Sequence, residues 1–182
     1  MIVERSGNHC HLTKETFSRL FGYDQMTMLR RLLNENFFVA REHIIYNDIK
    51  LPILGPFRKY DQIELSRSVP CARDWPAGYS GETEYARSVV VGAGGWRAFR
   101  INPVCIVSKP HVHMPAQIKR EEWGTVHLGK ESDILVCGVP IYYDPRITVP
   151  TIHLDNDWYN AVNCNEGYVT LSKCAEVVRL SA

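Results

Sequence analysis

Two short histidine motifs are the residues of this sequence best suited to chemistry. The stretch HCHLTKETFSRLFG, residues 9–22, begins with two histidines one residue apart, and HVHMPAQIKREEWG, residues 111–124, repeats the arrangement. Both copies place H-x-H, an apolar residue, an aromatic residue and a glycine at the same offsets. Alternate side chains of an extended segment share a face, so each H-x-H can present both imidazoles to one metal ion.

Two further residues extend this set of candidate ligands, whose histidines are His9, His11, His111 and His113. Glu64 stands in QIELS, and His153 stands in TIHLD. Histidine nitrogen and carboxylate oxygen suit zinc, and also iron, manganese or cobalt. The alternative is that the paired histidines are a structural remnant of a duplication, with their rings hydrogen-bonded in a core. His43 and His127 stand alone and are expected to be structural or solvent-facing.

Arg58 is a candidate oxyanion ligand. It follows a Gly-Pro pair in LGPFRKYDQIELS, six residues before Glu64. A planar guanidinium matches the geometry of phosphate or carboxylate, although a solvated surface arginine is the other interpretation. The glycines of GAGGWR lack the Lys-Ser/Thr of a phosphate loop and predict a hairpin turn. The sequence contains no Gly-x-Ser-x-Gly motif, and nothing in it singles out a serine or cysteine nucleophile.

The elements that must position these residues are predicted to be mainly short β-strands. Segments rich in Val, Ile and Tyr are interrupted by Gly, Pro, Asn and Asp throughout the chain. Helix signals are few: a short helix capped by Thr13 and closed by Gly22, a helical turn at 26–33, and a helix opened by Pro115 and closed by Gly124. The expected fold class is mainly β with short helices.

The repeated motif predicts two similar halves, roughly residues 1–105 and 106–182. The first half would carry one H-x-H and Glu64, and the second would carry the other H-x-H and His153. Two copies are too few for a solenoid. They fit a pseudo-symmetric pair of small β-barrels, in which strands can be exchanged between the halves.

Composition excludes several classes of protein. The 182-residue chain has a formal net charge of +1, so it lacks the electrostatic footprint of a nucleic-acid or anionic-membrane partner. The sequence has no apolar run of membrane-spanning length and no signal-type N-terminus, which favours the cytoplasm. Its six cysteines form no C-x-x-C motif and are expected to be free thiols, mostly buried.

The motifs together resemble a known family. Its pattern S-N-R-H-V-H-L-S/T corresponds to SGNHCHLT, and L-G-P-x-R-K-x-x-Q-V-E-I-S-R corresponds to LGPFRKYDQIELSR. A second R-H-I-H-M corresponds to KPHVHM, and H-I-D-T-D-E-A-N-A corresponds to HLDNDWYNA. Over roughly residues 4–163 the chain is similar to the propanediol-utilisation type of phosphate acyltransferase, also called phosphate propanoyltransferase.

The resemblance implies a fold, a reaction and a set of partners. The fold would be two small β-barrels with the active site between them. The reaction would exchange an acyl group, acetyl or propanoyl, between coenzyme A and inorganic phosphate. Two metal ions, usually zinc, are implied. A homodimer is the expected oligomer, and the missing N-terminal extension favours a free cytosolic enzyme over encapsulation in a microcompartment.

The resemblance also implies a role for each matched residue. One ion, the catalytic one, would be held by Glu64, His111 and His113, and the other by His9, His11 and His153. Arg58 would be catalytic and bind phosphate. The residues expected near the coenzyme are Ser6, Asn160 and, by the weakest match, Arg30.

Departures from the family pattern surround the expected substrate pocket and leave two other functions open. Pro110 replaces an arginine, and Cys71 replaces an aromatic residue near Trp75, so acyl-chain preference is not readable. One alternative is a metal-dependent hydrolase, whose general base would be Asp155. The other is a non-catalytic metal- or ligand-binding relative, although the six candidate ligands and Arg58 are all present.

Overall fold

The computed structural model divides the chain into two compact units. One is continuous and comprises residues 7–108; the other is split and comprises residues 1–6 together with 109–182. We call them the continuous unit and the split unit. The structure describes residues 1–79, 83–93, 97–116, 123–128, 134–162 and 167–170, with backbone alone for 134–138 and 170.

The continuous unit is built on a sheet ordered β7-β10-β6-β2-β5-β4-β8-β9, with β3 pairing to β4. It also contains helix α1, Lys14–Phe21, and a 3-10 turn at Pro70–Ala72. Its strands are β2 His9–His11, β3 Met28–Arg31, β4 Phe38–Tyr46, β5 Ile49–Gly55, β6 Gln62–Leu65, β7 Ala77–Gly78, β8 Val89–Ala93, β9 Arg97–Ile101 and β10 Val104–Ser108.

The split unit is built on a sheet ordered β1-β14-β11-β13-β12-β15. A short helix, α2, Asn156–Val162, follows β14. Its strands are β1 Ile2–Ser6, β11 His111–Pro115, β12 Trp123–Leu128, β13 Ile134–Asp144, β14 Thr151–Asp155 and β15 Gly167–Thr170. The described residues are therefore mainly β-structure arranged as two barrel-like units, as the sequence predicts.

The two sheets share an internal strand pattern. In the continuous unit the run is β10-β6-β2-β5-β4, and in the split unit it is β1-β14-β11-β13-β12. Along both runs the pairings are parallel, antiparallel, parallel and antiparallel in turn. The H-x-H strands β2 and β11 occupy the same place in each run. The sequence repeat is thus a repeat of sheet topology.

Each unit has its own hydrophobic core. In the continuous unit helix α1 contributes Phe17 and Leu20, spaced so that both face the sheet. Thr13 caps this helix by accepting a hydrogen bond from the Thr16 amide, and Gly22 ends it with a left-handed φ of 83°. This helix is as the sequence predicts. In the split unit the fully buried residues include Val112, Val126, Ile152 and Leu154.

Three predictions of local structure can be compared with the structure. The segment 26–33 is not helical, because residues 28–31 form β3 and pair with β4. The helix predicted from Pro115 to Gly124 is also wrong at its ends, where Pro115 closes β11 and Gly124 lies in β12; residues 117–122 lie outside the described ones. The strands flanking GAGGWR pair as a hairpin, with residues 94–96 outside the description.

The helices can be compared with the length that a membrane-spanning helix needs. Within the described residues the helices are eight and seven residues long, and neither has the length and apolar character needed to cross a bilayer.

Candidate functional site

The continuous unit brings His9, His11 and Glu64 together. Strand β2 runs antiparallel to β6 with His9 directly opposite Glu64, and the alternation of β2 places His11 on the same face as His9. One donor atom from each of the three residues lies within 4.8 Å of the others. All three residues are buried, with relative exposures of 6%, 5% and 2%. We call this set the Glu64 trio.

Backbone carbonyls orient both imidazoles of the Glu64 trio. His9 Nδ1 lies 2.6 Å from the carbonyl oxygen of Gly7, and His11 Nδ1 lies 3.1 Å from that of Leu54. A carbonyl only accepts, so each Nδ1 carries the proton and each Nε2 presents a lone pair. The two Nε2 atoms then face each other at 3.2 Å. This is the arrangement in which metal-ligating histidines are usually held.

Electrostatics keep His11 and Glu64 in the protonation states that a cation needs. Burial, followed by the positive charge of Arg58, holds the pKa of His11 well below its usual range. Burial alone would raise the pKa of Glu64, but His9, and then His11 and Arg58, outweigh it and hold that pKa well below its usual range. A neutral imidazole and an ionised carboxylate are the metal-binding forms of these side chains.

The residues of the Glu64 trio fit a divalent ion. Glu64 Oε1 is buried and has no hydrogen-bond partner among the described residues. The imidazole nitrogens His9 Nε2, at 3.7 Å, and His11 Nε2, at 3.9 Å, are too far to donate to it. An unsatisfied buried carboxylate oxygen costs free energy, as do facing lone pairs. One cation at the centre would satisfy all three ligands, and two imidazoles with a carboxylate suit zinc.

The split unit brings His111, His113 and His153 together in the same way. Strands β11 and β14 are antiparallel with His111 directly opposite His153. The ring centroids are 4.9 Å apart for His111 and His113, 5.1 Å for His111 and His153, and 4.5 Å for His113 and His153. Donor atoms of the three residues again lie within 4.8 Å of one another. We call this set the three-histidine trio; it suits an ion that accepts nitrogen ligands.

Within each unit, strand register brings together candidate ligands that the resemblance assigns to different ions. The resemblance joins Glu64 to His111 and His113, and His153 to His9 and His11. Strand register instead sets Glu64 against His9 and His153 against His111. Each compact trio takes its third residue from the strand paired with its own H-x-H. The grouping that the resemblance implies joins residues of both units and stays a prediction.

Arg58 lies beside the Glu64 trio. Its Nη1 donates to Gln62 Oε1 at 3.2 Å, and its backbone amide donates to the Leu12 carbonyl at 3.0 Å. Gln62 is fully buried on β6 and pairs with His11. The positive charge of Arg58 lowers the pKa of both His11 and Glu64, so the guanidinium lies near this trio. An arginine anchored in this way can hold an anion next to a bound cation.

The three predicted coenzyme contacts fall in different places. Ser6 ends β1 in register with Asp155, and Asn160 lies on the exposed side of α2. Both belong to the split unit. Arg30 is exposed on β3 of the continuous unit, in register with Val39. The structure thus locates all three residues, and their role in binding a coenzyme stays a prediction.

Asp155, the general base required by the hydrolase alternative, serves as a helix cap. It is buried, and its Oδ1 accepts a hydrogen bond from the Trp158 amide at 2.8 Å. This is the position of a carboxylate that begins a helix. The bond supplies a structural reason for an aspartate two residues after His153, so nothing in its geometry favours a hydrolase.

The positions that depart from the family pattern are packed rather than open. Trp75 is 4% exposed, and its ring centroid lies 5.9 Å from that of Tyr46. Cys71 is partly buried in the 3-10 turn and packs against the core of the continuous unit. Cys10 and Cys105 are buried free thiols, in line with the sequence, while the other three cysteine side chains lie outside the described ones.

Sequence reasoning missed three residues near the trios. Gln62 stands two residues before Glu64, so strand alternation could have placed both on one face. Tyr142, whose ring centroid lies 5.7 Å from that of His111, is aligned with His113 across β11 and β13. Glu4 lies opposite His153 across β1 and β14. The positions of Tyr142 and Glu4 beside the histidines depend on strand pairing between distant segments, for which the sequence carries no local signal.

Known proteins provide an independent comparison. The sequence profile described as phosphate propanoyltransferase matches residues 2–165. A phosphate propanoyltransferase of Leptotrichia buccalis is 33% identical over 181 residues, covering 91% of this chain and 84% of the relative. The enzymes of the same name from Limosilactobacillus reuteri and Listeria monocytogenes are 28% and 29% identical, covering 92% and 91% of this chain and 84% and 83% of theirs.

Proposed function

Since the chain belongs to the phosphate propanoyltransferase family and is an acyltransferase of that kind, we propose that it exchanges an acyl group between coenzyme A and inorganic phosphate, with two divalent metal ions as cofactors. The acyl group would be propanoyl or acetyl, and the ions zinc. The single observation that carries the proposal is Arg58, an anion-binding side chain anchored beside three metal-type ligands.

Arg58 and Gln62 have separate roles in the proposed reaction. Arg58 binds the phosphate dianion through its planar fork, and Gln62 fixes the direction of that fork. A phosphate held in this way is already positioned to attack the carbonyl carbon of a thioester. Much of its translational and rotational entropy is therefore lost on binding, and less has to be lost in reaching the transition state. The oxygen–carbon bond forms as the carbon–sulfur bond breaks, and the proton of the hydrogen phosphate passes to the leaving sulfur, giving acyl phosphate and the free thiol of coenzyme A.

The Glu64 trio and the three-histidine trio would each hold one ion. A bound divalent ion would supply Lewis-acid polarisation of a carbonyl or phosphoryl oxygen. Burial and then the charge of Arg58 hold the pKa of His11 low, so His11 would enter that task neutral. The neighbouring His9, His11 and Arg58 hold the pKa of Glu64 low against the effect of burial, so Glu64 would enter it ionised. Direct transfer also agrees with the sequence, in which nothing singles out a nucleophilic serine or cysteine.

Thiol release tests this proposal. Purified protein is given propanoyl-CoA or acetyl-CoA with and without inorganic phosphate, before and after chelation, and free thiol and acyl phosphate are both measured. Equal amounts of the two products, formed only with phosphate and metal, are expected. Arg58→Ala should lower the rate at subsaturating phosphate by roughly 10²–10³-fold, since it removes the charged donor for the reacting anion.

A matched control uses an exposed arginine of the same unit. Arg41→Ala removes the same charge from an exposed position of β4 that belongs to neither trio, and should leave the rate unchanged. Thiol release that proceeds equally without phosphate would indicate a hydrolase. Absence of release with either thioester, from protein that retains its metal, would contradict the proposed reaction.

A further inference from the structure

The third histidine of the three-histidine trio is in contact with a carboxylate from the first strand. Glu4 Oε2 lies 3.0 Å from His153 Nε2, and Thr151 Oγ1 also lies 3.0 Å from that nitrogen. Strand β1 runs parallel to β14 with Glu4 in register with His153. Backbone pairing therefore holds the carboxylate in place, and its side chain is only about a quarter exposed, at 24%.

The contact determines which nitrogen of His153 can face a cation. A carboxylate at hydrogen-bond distance requires the proton on Nε2, because two acceptors would repel. The lone pair of His153 is then on Nδ1. Histidines that bind metals commonly donate their other nitrogen to a carboxylate in this way, which fixes the tautomer and raises the basicity of the ligating nitrogen.

The continuous unit provides an internal comparison for this position. Strand β10 pairs with β6 just as β1 pairs with β14, and the residue in register with Glu64 is Ile106. Glu4 and Ile106 thus occupy matching places beside the third ligand of each trio. The Glu64 trio contains a carboxylate and has an apolar residue beside it, whereas the three-histidine trio contains no carboxylate and has one beside it.

The different positions of the two carboxylates, Glu64 and Glu4, balance charge between the two trios. Glu64 cancels one of the two charges of a divalent ion, whereas three neutral imidazoles cancel none. Leaving both charges uncompensated in a partly buried place is unfavourable. Glu4 supplies the missing negative charge from one residue further out, through the His153 ring.

We propose that Glu4 is a positioning residue for the ion of the three-histidine trio: its carboxylate accepts the Nε2 proton of His153, directs Nδ1 to the ion and cancels one of its charges. The inference rests on the proposed function only in requiring that this trio holds a divalent ion.

Two substitutions separate the charge from the hydrogen bond. Glu4→Gln keeps an oxygen that can accept the Nε2 proton but removes the charge. Glu4→Ile copies the residue at the matching position of the continuous unit, removes both functions and keeps a residue suited to a strand. Glu35→Gln is the matched control, because it removes a carboxylate from an exposed turn outside both trios. Urea unfolding of each variant checks that the fold is retained.

The measurement is the dissociation constant of each of the two bound ions, obtained by competition with a chromophoric chelator for Zn²⁺ and from visible absorption for Co²⁺. His153→Ala identifies which constant belongs to the three-histidine trio. Glu4→Ile should weaken that ion by about 10–100-fold and shift its Co²⁺ absorption, as loss of an outer carboxylate typically does. Glu4→Gln should weaken it less, and the other ion should be unaffected in both.

Other outcomes would overturn either this inference or the proposed function. Unchanged affinities in Glu4→Ile, or wild-type protein that binds no ion at the three-histidine trio, would overturn the inference. Equal weakening of both ions would do so as well, since it would indicate a general loss of structure. Wild-type protein that binds both ions yet transfers no acyl group would leave this inference standing and remove the proposed reaction.

Discussion

His9 and His11 face each other through their Nε2 atoms at 3.2 Å, while a backbone carbonyl occupies the other nitrogen of each ring. Two lone pairs at this separation are stable together only around a proton or a cation. Glu64 Oε1, which is buried and finds no hydrogen-bond partner in the described part of the chain, lies on the same side of the sheet. The relationship makes the Glu64 trio a site whose own polar atoms are incompletely satisfied.

The first prediction concerns metal content. His11→Asn removes one imidazole lone pair of the Glu64 trio but can still bond to the Leu54 carbonyl through its amide. We expect one bound zinc per chain in this variant and two in the wild type, measured by elemental analysis after gel filtration. His43→Asn, outside both trios, is the control and should retain two. Two tightly bound ions in His11→Asn would contradict the assignment of the Glu64 trio as a metal site.

The second prediction concerns the shape of the Arg58 side chain. Arg58→Lys keeps the charge but loses the fork that binds phosphate and Gln62 together. A charge-assisted hydrogen bond contributes about 1.5–3 kcal/mol, so the KM for phosphate should rise by roughly 10- to 150-fold. The KM for acyl-CoA should stay within about twofold, and steady-state kinetics in both substrates measures the two values. Arg41→Lys should change neither. A selective rise in the acyl-CoA KM would assign Arg58 to the coenzyme.

The third prediction concerns pH and stability in metal-free protein. The pKa of His11 is held well below its ordinary 6.5, so below pH 6.5 the unfolded chain binds a proton that the folded chain does not. The free energy of unfolding should therefore fall as pH decreases from 6.5. Glu64, whose pKa is held well below its ordinary 4.5, should add a second decrease below pH 4.5 for the same reason.

Urea unfolding in the presence of a chelator, repeated between pH 7 and pH 4, measures how the free energy of unfolding changes with pH. His11→Asn should flatten the decrease that begins near pH 6.5, and His43→Asn should not. A wild-type unfolding free energy that stays constant between pH 6.5 and 5 would show that His11 is protonated as easily in the folded protein as in the unfolded chain.

The fourth prediction concerns thiol reactivity. Burial raises the pKa of the Cys105 thiol to about 12, and burial with the nearby Asp61 also raises that of Cys10. Only thiolates react readily with alkylating agents. Cys71, which is partly exposed, should therefore be modified by iodoacetamide well before Cys10 or Cys105, as followed by peptide mass spectrometry at pH 8. In urea the three should react at similar rates. Early labelling of Cys10 in folded protein would contradict its burial on β2.

The fifth prediction concerns Gly55, the glycine of the LGPFRK motif. A Cβ at this position would overlap the ring of Phe38, so Gly55→Ala should lower the free energy of unfolding by about 1–3 kcal/mol. Gly92→Ala is the control, since the nearest atom to a Cβ there is Ile45 Cβ at an ordinary 3.5 Å. Phe38→Leu should partly restore stability to Gly55→Ala. Equal effects of the two glycine substitutions in urea unfolding would mean that the Phe38 ring moves aside without cost.

The sequence predicts that each pair of candidate ligands shares a face, because strand alternation is local. Two histidines in H-x-H share a face wherever the strand lies, and the capped helix after Thr13 likewise depends on neighbouring residues. Which third ligand joins each pair depends on strand register. His9 opposes Glu64 only because β2 and β6 pair in one particular alignment. The resemblance implies a grouping of the six residues without that register, and its grouping stays a prediction.

The segment 26–33 shows a different limit of sequence reasoning. Its apolar residues suit a helical turn, yet Met28 and Leu29 lie exposed on β3. This strand pairs with β4, whose residues 38–46 supply the partner backbone. Pairing with a neighbouring strand outweighs weak helix propensity, and that neighbour is not readable from the segment itself.

The division of the chain also sets an order of events during synthesis. Residues 7–108 are continuous, so that unit has its whole sequence available once Ser108 has emerged from the ribosome. Strand β1 is made first but has to wait, because its partner β14 begins only at Thr151. The nascent chain thus carries an unpaired strand through the synthesis of an entire neighbouring unit. Glu4 consequently cannot reach His153 until β14 has been made, so the Glu64 trio has all of its residues available well before the three-histidine trio does.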